Sequence, residues 1–395
     1  MSDSYYTLGL ITAPGYPSEL VGTIKSDLPD LLAYYVDDTR KWKIDCKVDS
    51  LTGGTDQSDE VMKSIIEKRS ENEWDFTVAL TDLPLLKMKK AIIAEAYQEE
   101  GVALISLPGL GAVPLARRVR DSILQLVNEM FYTSTEEGRE KAEVRLEHKD
   151  QQEDRNLKNR DPKRLVGRRG IDKLSPIKRE TPEGTENIDV QFKVNSYGGS
   201  MLRLVTGMVR ANQPWAMFPS FKKVIMIAFT TGTYALVFPT LWLLSNDYSV
   251  WRMFMLSVIS ILAMVFWIIS AHNLWEKKRV TEKEVHIRKL YNATTFLTLF
   301  TSVCLYYGLL FILFSIAVMV LIPMSLLQSE VSPDTGYINY FYIAWTATSV
   351  ATIIGALGSA LEDEEVVLSS TYGYRQRQRY ETIREMEEEK EENNR

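Results

Sequence analysis

The sequence predicts an α/β soluble domain, with a mainly parallel sheet and packed helices, followed by an α-helical transmembrane domain of four spans, or five if one long apolar run turns back on itself. Three observations carry this. Strand-like and helix-like segments alternate over residues 5–131, the pattern of β–α units closing into a parallel sheet. Between residues 223 and 361 lie apolar stretches free of Asp, Glu, Lys and Arg, each reaching the about 20 residues that cross a hydrocarbon core. The composition also changes sharply along the 395-residue chain, so its average of 45% hydrophobic residues describes neither half.

The elements follow in order. "YYTLGLITA" reads as a strand, residues 17–36 as an amphipathic helix, "WKIDCKV" as an alternating strand, residues 58–70 as a helix and "WDFTVALT" as a strand. A less regular stretch, "AIIAEAYQEE", leads into the strand "GVALISL". A helix over residues 112–131 closes the unit, with Val119, Ile123, Leu126, Val127 and Met130 on its core-facing stripe. This defines an α/β domain over residues 1–133. "MSDSYYTLGLITAPGYPSEL" has no charged n-region and only a short apolar run, so the domain is expected in the cytoplasm. Cys46 and Cys304 fall in different halves, and no intramolecular disulfide framework is expected.

Residues 134–187 read as a charged, partly disordered linker. Within it, residues 155–179 hold ten Lys or Arg against two acidic residues, a composition that suits a solvated linker or contact with anionic lipid headgroups. No aromatic residues are interleaved for base stacking, so no nucleic acid is expected. Residues 188–222 supply one more strand, "IDVQFKV", and an amphipathic helix with Met201, Leu204, Val205 and Met208 on its apolar face beside Arg203 and Arg210. That face suits either the membrane interface or the soluble domain, and its place before the first span favours the interface.

The transmembrane domain, residues 223–361, has expected spans at 224–245, 253–272, 294–327 and 340–361, with Pro239 and Pro323 as kinks. The third run is one long helix or two short ones around Gly308. Charge decides: "EKKRVTEKEVHIRK" holds six Lys or Arg and "QSEVSPDTGYINY" none, so one crossing separates a cytoplasmic loop from an outer one. The result is a multi-pass cell-membrane protein with both termini cytoplasmic, the C-terminal one in a charged tail over residues 362–395. Ala351, Gly355 and Ser359 form a small-residue stripe that allows close packing with another span of this chain, a second copy or another membrane partner. No Asp, Glu, Lys or Arg lies within the spans, which speaks against a transporter or proton pump.

The chemistry-bearing positions are few. Gly109 and Gly111 sit at a strand-to-helix junction, where backbone N–H groups and a helix dipole attract anions, with Arg117 or Arg118 placed to assist. The spacing matches neither a dinucleotide fingerprint nor a phosphate loop, since Pro114 stands where a third small residue belongs. Asp82 follows a strand whose carboxyl end faces the crevice where α/β sheets hold ligands. His148, His272 and His286 all lie outside the α/β unit, so neither a Ser/His/Asp triad nor a histidine zinc site can be assembled there. No cofactor and no catalytic residue are expected.

The order of "LGLIT", "ALTDLPL" and "GVALISLPGLG" before a long helix resembles the amino-terminal half of archaemetzincin-like zinc peptidases, over about 100 residues. In that resemblance Gln125, Leu126 and Glu129 stand where the HExxH helix would carry its first His, catalytic Glu and second His, which implies a zinc-less domain. The wider pattern, "LTDLPL", "SLPGLGA", "GMVRANQPW" and "GALGSALEDEE" with "YGYRQRQR", resembles an uncharacterised group of bacterial multi-pass membrane proteins, from which no function carries over. Two functions remain. One is a membrane-anchored interaction or regulatory module with a non-catalytic cytoplasmic α/β domain. The other is a membrane-tethered enzyme or nucleotide- or phosphate-binding sensor using the Gly109–Gly111 turn.

Overall fold

The computed structural model describes residues 5–49, 58–112, 115–132, 140–141, 144, 175–181, 189–276 and 282–358. Most of the basic segment 155–179, the tail 362–395, and Val113, Pro114, His148 and Ser359 lie outside the described residues. The chain divides into two compact units, one built on Met1–Ala211 and the other on Asn212–Val280 with Ile287–Arg375.

The first unit runs β1 (Tyr5–Thr12), α1 (Tyr16–Ile24), α2 (Leu28–Tyr35), β2 (Lys41–Val48), α3 (Ser58–Glu71), β3 (Phe76–Thr81), β4 (Leu85–Lys87), β5 (Lys90–Tyr97), β6 (Val102–Ser106), α4 (Leu107–Leu110), α5 (Leu115–Phe131), β7 (Ile177–Glu180), β8 (Val190–Val194) and α6 (Tyr197–Ala211). The helix expected over 17–36 is two helices, because Pro29 stands in the first turn of α2, where a missing N–H is harmless, and would break a longer helix.

The strand order is β2-β1-β3-β6-β5-β8-β7, with β4 paired to β5. Strands β2, β1, β3 and β6 are mutually parallel, whereas β4, β5, β7 and β8 add antiparallel pairs. The sheet is therefore mixed rather than mainly parallel. The reason is local: β4, β5 and β6 are joined by tight turns at Met88–Lys89 and around Gly101, and strands joined so closely can only run antiparallel. In the irregular stretch "AIIAEAYQEE", Ala91–Tyr97 belong to β5 and are all buried, and the last three residues form the turn after it; Glu95, wholly buried, accepts a hydrogen bond from Gln191 Nε2 on β8.

Helix α6 corrects a second expectation. Its face does not serve a membrane interface: Leu204, Val205, Met208 and even Arg203 are buried within the α/β unit, and Ser200 Oγ accepts the Ala91 N–H of β5 at 3.0 Å. Gly207 makes this possible, since a Cβ there would stand 2.2 Å from the Pro108 carbonyl oxygen. On the opposite flank Gly9 of β1 receives the Trp74 indole, leaving 2.0 Å between an added Cβ and Cε3.

The second unit contains a 3-10 turn (Pro214–Phe221), α7 (Lys222–Ala235), α8 (Pro239–Asp247), α9 (Val250–Ala271), α10 (Glu282–Leu321), α11 (Met324–Glu330) and α12 (Tyr337–Gly358). Among the described residues three helices are long and apolar enough to cross a membrane, or four if α7 and α8, bent by 91°, form one broken span. The first expected span is thus interrupted, because Pro239 opens α8 with Phe238 extended before it. By contrast α10 passes unbroken through Gly308 and ends before Pro323, so this run does not turn back at Gly308. Its 40 residues make a helix of about 60 Å.

Packing in this unit relies on small residues. Gly232 faces Phe314 and Ala351, and Gly355 faces Tyr306, Ala228 and Val224. Ala351 and Gly355 of the small-residue stripe therefore pack against α7 and α10 of the same chain. Polar side chains join the helices as well: Ser257 Oγ on α9 lies 2.9 Å from Tyr307 Oη on α10 and accepts the Trp345 indole N–H of α12 at 2.6 Å.

Candidate functional site

In α/β sheets the ligand crevice opens outside the carboxyl ends of parallel strands, where successive crossovers leave in opposite directions. Here β2 lies on one side of β1 and β3 on the other, so that point falls between β1 and β3. Thr12, Thr81 and Asp82 stand at these strand ends and Ser106 at the end of neighbouring β6; all four are buried.

Hydrogen bonds tie these ends together. Leu83 N–H donates to Thr81 Oγ1 at 3.1 Å, and Ser106 Oγ donates to the Leu83 carbonyl at 2.8 Å. The same Ser106 Oγ accepts the Gly109 N–H at 3.3 Å as the cap of α4. Ser106 thus places the Asp82 loop beside the Gly109–Gly111 turn, so three of the expected site residues share one end of the sheet.

The two glycines have distinct requirements. Gly111 takes a φ of 83°, which a side chain disfavours. Gly109 brings its backbone against β5, where a Cβ would stand 2.9 Å from the Ile92 carbonyl oxygen. Both amides are engaged inside the structure, Gly109 N–H with Ser106 and Gly111 N–H with the Pro108 carbonyl at 3.0 Å. An anion at this turn would have to displace those bonds. Arg117 and Arg118 lie in the first turn of α5; Arg117 is exposed with Nε 3.8 Å from Asp121, and Arg118 is half-buried.

The residue at this end that the sequence did not single out is Arg203. Its side chain is fully buried. The guanidinium donates to Ser175 Oγ at 3.2 Å, to the Ser175 carbonyl, and to the Leu110 carbonyl at 3.4 Å. Leu110 lies between Gly109 and Gly111, so α6 clasps the turn through Arg203 and, one turn further on, through Gly207. A buried guanidinium is tolerable only where several acceptors replace its hydration. In sequence, Arg203 reads simply as the polar flank of an amphipathic helix.

Glu129, which the peptidase resemblance aligns with a metal ligand, is engaged elsewhere. Its carboxylate takes Arg179 of β7 side-on, Nε to Oε1 at 3.1 Å and Nη2 to Oε2 at 2.9 Å, a paired geometry that fixes α5 to the sheet edge. Among the described residues no three His, Cys, Asp or Glu side chains gather closely enough to hold a metal ion. Cys46 and Cys304 are both free thiols. Burial pushes the Cys46 thiol above its ordinary pKa, with the nearby Lys25 ammonium opposing the shift more weakly.

Comparison with known proteins finds no family model, no curated protein and no solved structure that matches this chain.

Proposed function

We propose that this chain is a membrane-anchored interaction or regulatory module whose α/β domain works by contact rather than catalysis. The observation that carries this is the occupation of the sheet's carboxyl end by the chain itself. Helix α6 lies on the Leu107–Leu110 turn with Gly207 against Pro108 and Arg203 bonded to Leu110. At the crevice point between β1 and β3, Thr12, Thr81 and Asp82 are buried as well; a crevice that binds substrate must open to solvent there, and a domain closed at both places offers its outer surfaces instead.

The same reading gives the chain four spans, counting α7 and α8 as one, with both termini in the cytoplasm. The six-to-none contrast in Lys and Arg on either side of α10 supports it. Contact of the basic segment 155–179 with anionic lipid belongs to this proposal too. Association with a second chain would use a face other than Ala351 and Gly355, whose neighbours are α7 and α10.

The test uses the full chain in detergent against a panel of nucleotides, dinucleotides and sugar phosphates, reading thermal stabilisation. No shift is expected. A shift that Gly111→Val abolishes while the fold survives would overturn the proposal in favour of a phosphate-binding sensor. Orientation is read by labelling single cysteines in a Cys46→Ser/Cys304→Ala background. Asp247→Cys and Ser329→Cys should react from outside, and Ser58→Cys, Thr281→Cys and Thr382→Cys only after permeabilisation.

A further inference from the structure

The hairpin between β4 and β5 ends in Lys87-Met88-Lys89-Lys90, where several unfavourable features coincide. Met88 and Lys89 both take positive φ, 50° and 64°, as a two-residue hairpin turn demands; Asn-Gly or Asp-Gly would fill these positions without strain. Lys87 and Lys90 are direct cross-strand partners, and like charges facing each other weaken a strand pair. Met88 is 91% exposed, the most exposed large hydrophobic side chain among the described residues. Among the described residues no carboxylate lies within ion-pair distance of these three lysines.

The base of the same hairpin is firmly held. Leu85, Ala91 and Ile92 are buried, and the Ala91 N–H bonds to Ser200 Oγ on α6. The tip therefore projects from an anchored base. Its strain and repulsion call for a ligand that supplies negative charge and accepts an aliphatic side chain.

We infer that this tip docks on the anionic lipid surface of the bilayer that holds the chain, with the three ammonium groups on headgroup phosphates and Met88 seated among the upper acyl carbons. Each lysine close to an anionic leaflet strengthens such a contact about fivefold. Tethering by the spans keeps the bilayer at high effective concentration, so one shallow apolar residue suffices. An aliphatic side chain between lysines does not suit single-stranded nucleic acid, which stacks its bases on aromatic rings.

The inference rests on the chain being membrane-anchored, and the experiment separates the two. The full-length Met88→Cys variant, in a Cys46→Ser/Cys304→Ala background, is labelled with a polarity-sensitive fluorophore and placed in lipid nanodiscs. The discs are made of phosphatidylcholine alone or with one third phosphatidylglycerol. The expected result is blue-shifted emission and at least threefold slower aqueous quenching in the anionic discs only. Both effects should be lost at high salt and in the Lys87→Gln/Lys89→Gln/Lys90→Gln variant. Equal quenching in both discs would overturn the inference while leaving the anchored reading intact. Protection found only in native membranes would do the same, pointing to an acidic protein partner. Failure of the chain to enter discs would overturn the anchored reading and this inference with it.

Discussion

Gly207→Ala puts the packing of α6 to a direct test. An added Cβ would meet Pro108 O at 2.2 Å, Cα at 2.7 Å and C at 2.8 Å, all backbone atoms that cannot rotate away. Restoring ordinary contact near 3.4 Å requires α6 to retreat by about 1.2 Å. Arg203, one turn earlier, reaches Leu110 O at 3.4 Å, so the same retreat breaks that bond. Overpacking costs about 1–3 kcal/mol, and losing a hydrogen bond from a buried charge about 1.5–3 kcal/mol. The better helix propensity of alanine returns about 1 kcal/mol. The net loss is about 1.5–5 kcal/mol, which should speed hydrogen exchange of the amides in residues 107–111 and 197–211 by a factor on the order of ten to a few thousand if they open locally. Mass-spectrometric exchange on the full chain in detergent reads this without assuming two-state unfolding. Gly198→Ala is the control, because nothing lies within 4 Å of its Cβ position; exchange there should be unchanged or slower. If Gly207→Ala behaved like Gly198→Ala, α6 would not be clasped on the turn and the sealed carboxyl end would have to be given up.

Four further outcomes are expected. Gly9→Ala should expel the Trp74 indole and with it the 3.1 Å bond from Nε1 to Asp45, lowering stability by about 2–3 kcal/mol; an unchanged melting temperature would refute the close contact. Arg179→Met leaves the Glu129 carboxylate, 7% exposed, without its bidentate partner and should cost about 2–4 kcal/mol, much of it recovered in the double variant with Glu129→Gln; simple additivity would show that the pair is not coupled. Ser257→Ala and Tyr307→Phe should each weaken the second unit by about 0.6–1.7 kcal/mol and act sub-additively, since each removes one end of the same 2.9 Å contact. Because burial holds the Cys46 thiol above its ordinary pKa, it stays protonated at neutral pH. Its alkylation should climb with pH beyond the range of an exposed thiol, and Lys25→Met should delay that climb further; fast labelling at pH 7 would contradict this.

Much of the architecture is legible in local pattern. Apolar runs without charge mark α9, α10 and α12, and strict alternation marks β2, because burial on one face or all round leaves a period in the residues themselves. Asp82 could be placed at a strand's carboxyl end for the same reason. What local pattern cannot carry is pairing between distant segments. The antiparallel strands β5 and β8 join through Glu95 and Gln191, 96 positions apart, and the turn before β5 uses Met88 and Lys89 where glycine or asparagine would have announced it. Helix α6 had an apolar face that fitted a bilayer interface or a protein core equally well. The choice was made by Gly207 meeting Pro108 and by Arg203 finding acceptors on Ser175 and Leu110. A stripe of hydrophobic residues specifies that something will cover it; the covering element is decided by shape and by which buried polar groups can be satisfied, and both exist only once the chain has folded.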